Sequence, residues 1–184
     1  MPRSFAREGC DTGRWCADLS DSKGIQLAKS ARPKRVDHVS MAVWKIDDQI
    51  KFFTDVFGWK EAGRFESAQA GFAGVVLDVP GPDGQRQMQW EILEPLGENS
   101  FIEKFLRERG PGLHHVTLEV DDADASAAHL RECGIEPFGG PRVSYDWKEM
   151  FVHPKATGGV LFQLYEQLDV PGFLGGPPKE DAGG

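Results

Sequence analysis

The chain has 184 residues, and its 40% hydrophobic content, with 12 Phe and 5 Trp, is enough to bury a core, so a wholly disordered chain is excluded. The net charge of −8 is uneven: residues 1–35 carry eight Lys/Arg against four Asp/Glu, which leaves a strongly acidic remainder that repels phosphate backbones and excludes nucleic acid as its partner. No apolar run is long enough to cross a bilayer and no secretory signal opens the chain, so a cytoplasmic protein with no membrane partner is expected, with Cys10, Cys16 and Cys133 as reduced thiols.

Residues 1–34 show no sustained period and are expected as an N-terminal extension. A first module over 35–97 starts with a strand at 36–43. Asp47 or Asp48 is then placed to cap a helix whose Ile50, Phe53 and Phe57 share one face, and Gly58 is placed to end it. Strands follow near 60–66, 71–80 and 86–94, the last two joined by the turn Pro80-Gly81-Pro82-Asp83-Gly84. Residues 98–111 form a connecting helix, with Ser100 and Glu103 at capping-box spacing and Gly110-Pro111 as the stop. A second module over 112–168 repeats the order. Its strand covers 113–120, its helix is capped by Asp121 or Asp122 with Ala123, Ala127 and Leu130 on one face, and strands lie near 135–139, 148–153 and 159–166. Residues 169–184, rich in Gly and Pro, are expected to be flexible.

The two modules are also alike in wording. Val36-Asp37-His38-Val39 returns as Leu113-His114-His115-Val116, and Trp90-Glu91-Ile92-Leu93-Glu94 returns as Phe162-Gln163-Leu164-Tyr165-Glu166. Strand alternation puts His38 and Ser40, and equally His115 and Thr117, on one face of each module, with the apolar row on the other. Four metal-ligating side chains, His38, Glu91, His115 and Gln163, then stand at equivalent points and predict one shared site. By the same parity His114, Glu94 and Glu166 face away, and His153, before Pro154, is a turn residue.

These residues resemble the vicinal oxygen chelate (glyoxalase/dioxygenase) superfamily and, within it, the methylmalonyl-CoA epimerases. The likeness covers about residues 36–167. It is carried by Asp37-His38-Val39, Phe57-Gly58, Glu91-Ile92-Leu93-Glu94-Pro95-Leu96, Gly112-Leu113-His114-His115 running into Val120-Asp121-Asp122, His153-Pro154-Lys155 and Gly159-Val160-Leu161. The resemblance implies an α+β fold of two βαβββ modules forming a curved mixed sheet around a metal-binding cleft. It also implies a divalent ion (cobalt, nickel, manganese, zinc or iron) and a small acid or acyl-CoA substrate, and it leaves room for a homodimer. His38, Glu91 and His115 match ligand positions. Gln163 stands where the family has a glutamate that also moves the α-proton, and a further carboxylate of some epimerases would fall near Val75.

Proton abstraction beside a carbonyl needs a base and a cation to take the developing charge. An amide such as Gln163 ligates through oxygen but accepts no proton near neutral pH. The catalytic candidates are therefore Glu91, Tyr145 and Asp146, with Asp78 and Glu149 also bordering the cleft. The function expected is a metal-dependent isomerase or lyase acting by α-proton abstraction. Two alternatives stand beside it: an iron(II) ring-cleaving dioxygenase, since two histidines and one carboxylate suit that ion, and a binding protein of the same fold without catalysis.

Overall fold

A computed structural model describes residues 32–168 except positions 99 and 145, so most of the expected extension and the whole expected tail lie outside the described residues. The first module contains β1 (Pro33–Ala42), α1 (Ile46–Phe57), β2 (Lys60–Ser67), β3 (Phe72–Pro80) and β4 (Arg86–Pro95). After α2 (Phe101–Arg109) come β5 (Gly112–Val120), α3 (Ala123–Glu132), β6 (Phe138–Ser144), β7 (Trp147–Val152) and β8 (Leu161–Gln167). All eight strands join one sheet in the order β2-β3-β4-β1-β5-β8-β7-β6. This is the expected α+β arrangement of two βαβββ modules on a curved mixed sheet.

The register makes the duplication concrete. In each module the first strand runs parallel to the last, and the modules join through the antiparallel β1–β5 pair. Ser40 sits between Glu91 on β4 and His115 on β5, while Thr117 sits between Gln163 on β8 and His38 on β1. A local two-fold relation therefore exchanges His38 with His115, Ser40 with Thr117 and Glu91 with Gln163. Because successive strand residues face opposite sides, these six share one face.

The other face is closed by the module helices. Ile46 and Phe53 of α1 pack with Val75, Leu77 and Ile92, and Ala123 and Ala127 of α3 pack with Val120, Met150, Val152 and Leu164. Phe57, expected on the buried face of α1, is instead half exposed and lies against Phe53 and Trp59. The linker helix α2 sets Ile102 and Leu106 against Ala42 and Leu93, which belong to the same row as Ser40 and Glu91. It closes one end of the face that carries the ligands.

Helix starts differ from expectation. Helix α1 begins at Ile46, with Lys45 at the cap and no side-chain cap bond, so neither Asp47 nor Asp48 caps it; both lie in its first turn, where negative charge favours the helix dipole. The Ile46 N–H is taken instead by Glu94 Oε2 at 2.7 Å. Helix α3 repeats this: the Ala123 N–H donates to Glu166 Oε2 at 2.9 Å, while Asp122 accepts from the Ala125 N–H. Ser100 caps α2 through the Ile102 N–H, but Glu103 completes no capping box because it is held by Arg107.

The sixth strand covers Phe138–Ser144 rather than 135–139. The Ile135 N–H still closes the end of α3 on the Leu130 carbonyl, so the strand cannot begin there. Gly140 then lets the two strands approach, since a Cβ on it would lie 2.0 Å from the Glu149 carbonyl oxygen. Among the described residues no helix is long and apolar enough to cross a membrane.

Candidate metal centre

His38, Glu91 and His115 converge, each offering one ligand atom within 4.8 Å of the others. Glu91 Oε2 lies 3.8 Å from His38 Nε2 and 3.7 Å from His115 Nε2, so one carboxylate oxygen faces both imidazoles. Three strands supply the three groups: β1, β4 and β5. Between Glu91 and His115 in register lies Ser40, fully buried, whose Oγ has no hydrogen-bond partner. Two imidazoles and a carboxylate, all largely shielded from solvent, beside an orphaned hydroxyl make a donor set that fits a divalent ion of the zinc, cobalt, manganese or iron type.

Each imidazole is oriented by its chain neighbour, and the two neighbours differ. His38 Nδ1 meets Asp37 Oδ2 at 2.8 Å, which leaves Nε2 for the site. Asp37 is in turn held by Arg35 at 2.6 Å and by the Tyr165 hydroxyl at 3.0 Å, and Glu119 accepts from Lys34 and Arg35. Burial disfavours the charged form of His38, but Glu91 and Asp37 outweigh it and raise its pKa. His115 Nδ1 instead meets His114 Nδ1 at 2.8 Å. Burial, with His38 and His114 adding to it, pushes His115 well below the usual imidazole range, so it stays neutral and able to ligate. His114 lies against Phe101 and Phe105 of α2, the helix that closes the ligand face. The β1–β5 register shifts opposite it, between Ser40 and Met41, so the strict alternation expected of it is broken here; burial with Arg109 lowers it to about 4.

Gln163 borders this group through one hydroxyl. Thr117 Oγ1 is 2.9 Å from His38 Nε2 and donates to Gln163 Oε1 at 2.8 Å. The remaining expected residues separate. Asp146 is buried in the β6–β7 turn, where its Oδ2 accepts from Gln167, and its hydrogen bonds stay within that turn and the end of β8. Tyr145 lies outside the described residues. Asp78 is half exposed and accepts from Gln89. Val75 is fully buried against α1 and faces away from the site. The neighbouring Gly74 faces the site side but carries the Phe65 ring over it, where a Cβ would lie 2.2 Å from Cζ. His153 accepts from the Lys155 N–H and caps a short 3-10 turn, Pro154–Ala156.

The group that sequence reasoning left unranked is Glu149. It is buried on β7, on the same face as Gln163, and bonds Arg142 and Gln163. Parity alone could have found it once the β7–β8 register was known, since Glu149 pairs with Tyr165 and Phe151 with Gln163.

Known proteins share this fold. The chain is 32% identical over 133 residues to mitochondrial methylmalonyl-CoA epimerase of Mus musculus, covering 71% of each chain. Methylmalonyl-CoA epimerase from Mycobacterium tuberculosis superposes with a TM-score of 0.66 at 33% identity, covering 76% of this chain and 91% of that one. A Streptomyces coelicolor methylmalonyl-CoA epimerase in complex with 2-nitronate-propionyl-CoA superposes at 0.65 with 28% identity, covering 74% and 99%. Residues 37–151, most of both modules and both site histidines, match the family itself: the chain belongs to the Glyoxalase/Bleomycin resistance protein/Dioxygenase superfamily.

Proposed function

We propose that the protein is a divalent-metal-dependent isomerase or lyase that removes the proton α to the carbonyl of a small acid or acyl thioester. The observation that carries this is the convergence of His38, Glu91 and His115 on a fold whose similar solved structures are acyl-CoA epimerases. A divalent cation there supplies Lewis acidity toward the oxygen that gains charge as the α-proton leaves. The chain supplies the rest. His38 and His115 present Nε2 lone pairs, with Asp37 fixing the His38 ring. Glu91 turns Oε2 toward both imidazoles and offers its second oxygen as the proton acceptor. Gln163, an amide, is confined to oxygen donation. Asp146 is left out of this scheme, because it sits in the β6–β7 turn with its Oδ2 held by Gln167.

The test is α-proton exchange in heavy water with a 2-methyl-branched acyl-CoA, with and without added Co2+ or Mn2+. Metal-dependent deuterium incorporation is expected, and no exchange with any acyl-CoA would end the acyl-CoA epimerase reading. The two-histidine, one-carboxylate set also favours a second reading, an iron(II) dioxygenase. Iron-dependent oxygen uptake with a catechol would establish that one in its place.

A further inference from the structure

Gln163 is held from both ends. Its Nε2 donates to Glu149 Oε2 at 2.6 Å, and its Oε1 accepts from Thr117 Oγ1 at 2.8 Å. Glu149 is 6% exposed, and its Oε1 accepts from Arg142 Nε at 3.1 Å and Nη2 at 2.7 Å. Trp147 Nε1 approaches Oε2 at 3.4 Å. A carboxylate only accepts, so it dictates which end of a neighbouring amide it meets. The NH2 must face Glu149, and the carbonyl oxygen must then face Thr117 and, through it, His38.

We propose that Glu149 is a positioning residue that fixes the Gln163 amide so that Oε1 serves as an oxygen donor to the cation held by His38, Glu91 and His115. This rests on the metal reading given above. It also accounts for the amide itself. A glutamate at 163 would set two carboxylates at the 2.6 Å separation seen here, in a buried place where Arg142 already serves one of them. An amide at 163 turns that repulsion into a hydrogen bond while keeping one oxygen for the site. The first module has no such device: in register the position equivalent to Glu149 is Gly74, roofed by Phe65, and Glu91 remains a carboxylate.

Co2+ binding to the full chain, measured by calorimetry and by the visible absorption of the bound ion, tests the arrangement. Second-sphere partners of this kind change metal affinity about 10–100-fold. Glu149→Gln is expected to weaken binding by about that factor and to shift the Co2+ spectrum, with little change in melting temperature because an amide still bonds Gln163. Gln163→Glu alone is expected to bind Co2+ at least tenfold more weakly than wild type, whereas Gln163→Glu combined with Glu149→Gln, which restores one carboxylate and one amide, recovers to within about threefold. Wild-type affinity and spectrum in Glu149→Gln, while His115→Ala abolishes binding, would overturn this inference and leave the metal centre standing. A Gln163→Glu variant that binds as tightly as the double variant would do the same. If wild type binds no Co2+, both fall.

Discussion

The two modules share a backbone register and differ in chemistry. In the first, His38 is backed by the Asp37 carboxylate, which Arg35 and the hydroxyl of Tyr165 from the second module hold, and in the second, His115 is backed by a neutral histidine set among Phe101 and Phe105. The carboxylate Glu91 faces the amide Gln163 across the local two-fold, and Gly74 under Phe65 corresponds to Glu149 under Arg142. Duplication thus conserved where side chains point, because strand register decides that, and left free which functional group stands there. Two unequal halves border one cluster: the first presents a carboxylate beside its histidine, and the second presents a neutral histidine and an amide.

The sharpest break of this comparison is at the histidines. His115→Ala removes one of two nitrogen donors from a buried set and should reduce metal affinity by about a thousandfold or abolish it, as read by metal content after dialysis. His114→Ala should leave one ion per chain, because that ring packs on Phe105 and is not one of the three converging ligands, with affinity lowered only about tenfold through the lost Nδ1 contact. Equal loss in both variants would mean that His114, like His115, is a ligand.

The neutral half also sets a pH response. His114, lowered to about 4 by burial and by Arg109, and His115, held well below the usual imidazole range by burial, His38 and His114, bind protons less readily folded than unfolded. The unfolded chain takes up those protons first as pH falls, so the metal-free protein should lose stability between about pH 6.5 and 4, by roughly 3 kcal/mol for His114. His38 acts in the opposite sense, its raised value giving stability already complete below the ordinary imidazole range, so it does not offset the slope. Urea unfolding of the metal-free protein across this range should show the decline, and His114→Phe should flatten it. An unchanged slope in that variant would place the effect elsewhere.

Much of this was legible in the chain. The repeat from Val36 and Leu113, with alternation along each strand, located the modules and put His38, Ser40, His115 and Thr117 on one face, because strand period is a local property. Strand β6 was misplaced since Gly139-Gly140-Pro141 reads as a loop; its pairing depends on β7 lying against Gly140, a contact between segments. Asp146 and Glu149 could not be ranked for the same reason. They lie three residues apart on one hairpin, and only the β7–β8 register shows that Glu149 shares a face with Gln163 while Asp146 turns to Gln167. Glu94 and Glu166 were visible as a recurring acid facing away from the site. Their task, receiving a helix N–H from a distant segment, is tertiary.

That last pair offers the gentlest test of the two halves. Both glutamates accept the first N–H of their module's helix, but the helices are otherwise capped differently. Helix α1 has only Lys45 at its cap, without a side-chain bond, so among the described residues Glu94 is the sole side-chain acceptor for its leading N–H groups. Helix α3 has Asp122 bonded to the Ala125 N–H as well as Glu166 on Ala123. Losing a buried helix-end acceptor costs about 0.5–2 kcal/mol. Glu94→Ala should therefore lie near 2 kcal/mol and Glu166→Ala nearer 1 kcal/mol in chemical denaturation, with Asp122→Ala adding to the latter. If Glu166→Ala costs as much as Glu94→Ala, the cap at Asp122 gives no support of its own. The duplicated glutamate, rather than the local aspartate, would then be what starts both helices.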